Sequence, residues 1–108
     1  MASYFLIESR DPFDATDVLH NYDLASDLKK RGNDVTVFLV QNGVLPARTC
    51  LHSARLSQLA SENVTVLADS FSLRERGIGT EALASGVTPA EIDVVVDAMA
   101  AGHKTIWS

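Results

Sequence analysis

The 108-residue chain alternates between short runs that are apolar almost throughout and longer runs in which apolar residues recur every three or four positions. The first pattern predicts strands and the second amphipathic helices. "SYFLIES", residues 3–9, is rich in aromatic and branched residues and predicts a strand, which Asp11-Pro12 breaks. Asp14 to Arg31 predicts a helix, with Val18, Tyr22, Ala25 and Leu28 at helical spacing. Asp14 and Asp17 suit its positive end, Lys29, Lys30 and Arg31 suit its negative end, and Gly32-Asn33 stops it. Val35 to Val40 is nearly continuously apolar, as expected of a strand covered on both faces. Pro46 and Thr49 introduce a second helix, Cys50 to Ser61, with Leu51, Ala54, Leu56 and Leu59 pointing inward. Val64 to Ala68 predicts a third strand, and "SFSLRERGIG" a helical turn before Gly77.

"TPAEIDVVVDAMAAG" carries the clearest local signal. Thr88 reads as an N-cap, Pro89 as the first helical residue and Glu91 as the second half of a capping box. Ile92, Val95, Val96 and Met99 then form the expected buried stripe, and Gly102 ends the helix. "HKTIW", residues 103–107, predicts a closing strand. Alternating strands and helices imply one α/β domain over residues 1–108, with a mainly parallel sheet. In such sheets ligands bind beyond the carboxyl ends of the strands. The loops after Ser9, Val40 and Ala68 are therefore the ones to watch.

The formal charge of −5 argues against nucleic acid and anionic membrane surfaces as partners. "MASYFLIESRDPFD" does not read as a signal peptide, and no apolar run approaches the ~20 residues of a membrane span. The single cysteine, Cys50, excludes an internal disulfide and a CxxC site, so a reducing cytoplasm is the expected setting.

Asp69 ends the third strand. It suits a general base or an acceptor in a cleft, and equally an N-cap that accepts backbone N–H groups. Glu8, Asp11 and Asp14 follow the first strand, and with Asp69 they could gather oxygens around magnesium as in a receiver-like domain. Glu8 and Asp11 are not adjacent, however, and the alternative is a solvated loop beside a helix dipole. Cys50, between Arg48 and His52 at an expected helix start, is either a reactive thiolate or a small packing residue. His20, His52 and His103 show no metal-ligand spacing. Arg74 and Arg76 offer donors to an anion or a partner's carboxylate, or simply solvate the surface. "GIGTEA" lacks a third glycine and a preceding strand, so it is no dinucleotide fingerprint, and GxSxG and P-loop motifs are absent.

As a set these pieces resemble the DsrE/DsrF-like family. "DVTVFLVQNGV" resembles its second strand, "VTVLADSFSLRERGI" its third strand, active-site loop and Arg-Gly marker, and "GVTPAEIDVVVDAMAAGHKTIWS" its last helix and closing strand. The resemblance implies a three-layer α/β/α subunit that assembles into trimers or hexamers. It also implies kinship with the sulfur-relay proteins DsrE and TusD, which carry sulfur as a cysteine persulfide. Their reactive cysteine lies eight residues before the marker glycine, which is Asp69 when counted from Gly77; a second cysteine of some members falls at Ser72. A carboxylate cannot accept sulfur as a thiolate does. DsrF- and TusB-type subunits also lack this cysteine.

The resulting expectation is a cytoplasmic homo-oligomeric subunit without persulfide sulfurtransferase activity and without a cofactor or metal. It would bind a small ligand or a sulfur-relay partner protein through Asp11, Asn42, Asp69, Ser70, Ser72 and Arg76. One alternative moves sulfur transfer to Cys50 as the catalytic residue, and another is the magnesium-dependent acidic pocket.

Overall fold

The computed structural model describes residues 2–48, 50 and 52–108. Five strands, Ser3–Glu8 (β1), Asp34–Leu39 (β2), Thr65–Asp69 (β3), Val87–Ala90 (β4) and Lys104–Trp107 (β5), form one sheet in the order β4-β3-β2-β1-β5. Every neighbouring pair is parallel. The helices are Asp17–Lys30 (α1), Ser53–Ser61 (α2), Ser70–Glu75 (α3) and Asp93–Ala100 (α4), and a 3-10 segment, Gln41–Ala47, follows β2.

The period of two along each strand sorts the core into two layers. Leu6, Val35, Val37, Leu39 and Val66 face one way, onto Val18, Tyr22 and Ala25 of α1 and Leu56 and Leu59 of α2. Phe5, Ile7, Phe38 and Val40 face the other way, onto Ala98 of α4 and its half-buried neighbours Val94 and Val95. The fold is thus an α/β/α sandwich, and the continuous apolar run of β2 is explained by burial on both faces.

Two helix starts differ from their predicted positions. Asp14 lies in a turn, where its N–H and that of Ala15 donate to the Asp11 carbonyl at 2.9 and 3.0 Å, and α1 begins only at Asp17. The second helix begins at Ser53 rather than Cys50, because the Ser53 hydroxyl accepts from the Cys50 N–H at 3.0 Å and donates to the Cys50 carbonyl at 2.8 Å. That closed turn puts Ser53 inside and Ala54 outside. Thr49 and Leu51 lie outside the described residues.

The larger correction is at residues 87–90. Thr88, Pro89 and Ala90 belong to β4 rather than to a helix cap, paired with β3 from Val66↔Val87 to Asp69↔Ala90. Proline is tolerated there because β4 is an edge strand, where a missing donor leaves no neighbour unpaired. Helix α4 starts at Asp93, and three of the four residues of the expected buried stripe are turned outward: Ile92, Val96 and Met99 are exposed, while Val95 is half-buried against the core and Ala98 is buried. "DVVVDAMA" is apolar on more than one face, so its period does not fix which face meets the sheet.

Tyr22 of α1 is almost fully buried, and its hydroxyl has no hydrogen-bond partner among the described residues. Burial raises its ionisation above the ordinary 10.0, and Glu8, Asp11 and Cys50 raise it further. Above about pH 10 the unfolded chain therefore releases a proton that the folded chain keeps, so stability falls as pH rises, by up to about 1.4 kcal/mol per pH unit from this group. Tyr22→Phe is expected to flatten that decline while costing little at neutral pH, since the lost hydroxyl leaves no partner behind. Urea midpoints measured across the alkaline range check this; an unchanged slope in the variant would contradict it.

Candidate functional site

Beyond the carboxyl ends of β2, β3 and β5 lies an open cleft of about 790 Å³. Val40, Phe71, Ile92 and Trp107 form its apolar walls, and Gln41, Asp69, Ser72, Glu75 and Arg76 its polar lining. Phe71 and Trp107 stand out into solvent, with Trp107 63% exposed. Pleating explains why these elements converge. Trp107 pairs with Ile7 and Phe38 with Leu67, and both Ile7 and Phe38 lie on the α4 side of the sheet, the side from which Ile92 closes the wall.

Asp69 is the last residue of β3 and the N-cap of α3. Its Oδ2 accepts from the Ser72 backbone N–H at 3.0 Å and from the Ser72 hydroxyl at 2.7 Å. The same hydroxyl accepts the Gln41 N–H at 2.8 Å. Gln41 adopts the left-handed backbone region at φ 51°, an uncommon conformation for a residue other than glycine. Arg76 continues the network, since its Nε and Nη2 donate to Asn42 Oδ1 at 3.1 and 3.0 Å and its Nη1 to the Ser72 carbonyl at 3.3 Å. Gly77 follows at φ 66°, which lets the chain leave α3 at once. The loop after β2 and the turn after β3 are thereby laced together around Asp69. One atom stays outside the lacing: Asp69 Oδ1 is buried and has no hydrogen-bond partner among the described residues.

Asp69, Ser72 and Arg76 thus meet at one cleft, and Asn42 joins through Arg76. Ser70 does not line the cleft. Asp11 does not line it either; its carboxylate accepts the Phe13 N–H at 3.1 Å in a local turn. Glu8 is buried, and its two oxygens accept from Asn21 Nδ2 at 2.8 Å and from the Ser9 N–H at 3.1 Å. Among the described residues no three His, Cys, Asp or Glu side chains are grouped so as to hold a metal ion, so the acidic pocket has no ligand set there. Cys50 is half-buried and away from the cleft lining, with its Sγ 3.8 Å from the Pro46 carbonyl. His52 stacks edge-on against Phe13 at 4.5 Å between ring centroids, and Arg48 pairs its backbone with Leu83. The cleft residues that sequence reasoning missed are Val40, Gln41, Phe71, Glu75, Ile92 and Trp107. Phe71 lies in a stretch that reads as a helical turn, whereas Trp107 reads as part of the closing strand and Ile92 as part of the core.

Ser72→Ala removes the hydroxyl that joins Asp69 to Gln41. It is expected to cost about 1–2 kcal/mol and to expose the Gln41 amide to exchange. Urea unfolding and amide hydrogen exchange check this; a Gln41 amide as protected as before would mean that other contacts hold the loop.

No helix among the described residues is long and apolar enough to cross a membrane. Among curated proteins no sequence matches this chain. Among solved structures, the ychN protein from E. coli superposes with a TM-score of 0.91 at 20% identity, over 100% of each chain. A protein of unknown function from Methanobacterium thermoautotrophicum, MTH1491, superposes with a TM-score of 0.83 at 22% identity, over 98% of this chain and 100% of its own. At such identities the likeness establishes the fold. The family follows from the sequence itself: the model of the DsrE/DsrF-like family matches residues 2–107, and the chain belongs to that family.

Proposed function

We propose that this protein is an oligomeric DsrE/DsrF-like subunit that binds a small ligand or a partner protein in the Asp69 cleft and carries no persulfide there. The observation behind this reading is the carboxylate itself. Asp69 stands where the resemblance puts the sulfur-carrying cysteine, and an aspartate offers no thiolate to accept sulfur. A cleft surrounds it, and its volume falls in the range of small-molecule sites. The proposed setting is the reducing cytoplasm, in keeping with a single, unpaired cysteine.

The test is intact mass after exposure to a polysulfide donor, with Cys50→Ser as control. The expected result is no reducible sulfur adduct on the folded, reduced protein. An adduct on the wild type that is absent from Cys50→Ser would replace this reading with a sulfur carrier working at Cys50, the half-buried thiol.

The oligomer is proposed from the resemblance and from the outward stripe Ile92, Val96 and Met99 together with Trp107, four large apolar side chains left exposed. Val96→Glu, at a position 67% exposed, is expected to leave the subunit folded and shift sedimentation toward the monomer. A wild-type protein that sediments as a monomer at all concentrations would remove this part of the proposal.

A further inference from the structure

We infer that the cleft selects an organic cation, a protonated amine carried on an apolar body. This rests on the reading of the cleft as a binding site and adds the chemistry of what it binds. Asp69 is only 6% exposed, and one of its two carboxylate oxygens has no donor among the described residues. A buried carboxylate with a bare oxygen calls for a compensating positive group. The protein does not supply one. Arg76, the cation in the cleft lining, spends its three donor nitrogens on Asn42 and the Ser72 carbonyl, and neither ion pair among the described residues involves Asp69.

The rest of the lining favours the same occupant. Glu75 adds a second carboxylate, so the cleft carries one more negative than positive side chain. Phe71 and Trp107 are exposed aromatic side chains in the lining, and aromatic rings attract ammonium groups while solvating an apolar body. An anion would meet the carboxylates of Asp69 and Glu75, while Arg76 is already turned toward Asn42 and the Ser72 carbonyl. A neutral apolar molecule would fill the walls and leave the buried charge as it was.

Trp107 is the only tryptophan and lines the cleft, so its fluorescence reports ligand binding there when the probes are compared at one protein concentration, which holds assembly constant. Three probes with one apolar body separate the possibilities: phenethylammonium, phenethyl alcohol and hydrocinnamate. The expected result is tightest binding of the ammonium, by about tenfold over the alcohol, with hydrocinnamate weakest. Asp69→Asn, which keeps an oxygen to cap α3, should abolish the preference for the ammonium and leave the alcohol unaffected. Glu75→Gln, at an exposed position, should reduce the preference by a smaller factor and serves if Asp69→Asn does not fold. Equal binding of the three probes would overturn the cation inference and leave the cleft reading standing. A preference for the ammonium that survives Asp69→Asn would overturn the role of Asp69. Absence of any Trp107 response to all three would overturn the cleft reading as well.

Discussion

Gly43→Ala is expected to destabilise the protein by about 3 kcal/mol, although the added methyl group is the smallest that any substitution can introduce. Gly43 lies in the 3-10 segment after β2 and is buried against the end of β1. A Cβ there would overlap the Glu8 carbonyl oxygen and stand 2.9 Å from the Glu8 carbonyl carbon. Both atoms are backbone, and the Glu8 carbonyl also accepts the Val40 N–H at 3.0 Å, so neither strand can yield without losing a sheet contact. The contrast is Gly77, which has a φ of 66° but nothing within 4 Å of its would-be Cβ. Gly77→Ala carries only the conformational penalty, about 1 kcal/mol. The two glycines are thus needed for different reasons, one for space and one for backbone conformation. Urea unfolding of both variants should rank Gly43→Ala well below Gly77→Ala, and the reverse order would refute the packing argument. Because the same segment carries Gln41 and Asn42, Gly43→Ala should also disturb Trp107 fluorescence across the cleft.

The sequence does not announce this contact. A glycine in "QNGV" reads as a turn, and only the approach of β1 reveals that a side chain has no room. What was legible was the local part of the fold. The apolar runs of β1, β2 and β3 and the period of α1 each lie within a dozen or so residues and give their elements directly. What was not legible depends on distant partners. "VTPAE" has the residues of a helix start, and nothing near it in sequence says that β3 lies alongside to receive it as an edge strand. The choice between a capped helix and a paired strand is settled by hydrogen bonds to residues 66–69, more than fifteen positions away.

The site divides in the same way. Asp69 and Ser72 are three residues apart, and the N-cap pattern was readable from that spacing. Asn42 and Arg76 were singled out from loops expected at one end of a parallel sheet, and the structure joins them by hydrogen bonds across 34 positions. Asp11 was placed with them on the same reasoning and is instead held in its own turn. The topology named the end of the sheet but not which loops share a cleft there. Trp107 and Ile92 were hidden because an apolar residue near a strand or helix end is expected in the core. Both are exposed, since α4 covers only part of its face of the sheet.

That thin layer gives the second large effect. Phe38→Ala is expected to cost about 3–4 kcal/mol. Phe38 is fully buried near the carboxyl end of β2, the middle strand of the sheet, with its ring centroid 5.9 Å from that of Phe5. The two rings and Ile7, Val40 and Ala98 make up the core on this side, and α4 is seated on little else. Removal of the ring should therefore do more than lower global stability. Helix α4 should open before the remainder of the fold, so its amides should lose protection against exchange while those of α1 keep theirs relative to global unfolding. Leu56→Ala, in the thicker layer under α1 and α2, should cost a comparable amount without singling out α4. Equal loss of protection in α1 and α4 for Phe38→Ala would mean that the two layers unfold as one unit. The comparison also bears on assembly. If the outward stripe of α4 meets a second copy, as proposed, that contact holds the helix from its other side, and the protection of α4 in Phe38→Ala should rise with protein concentration. In a monomer it would not change.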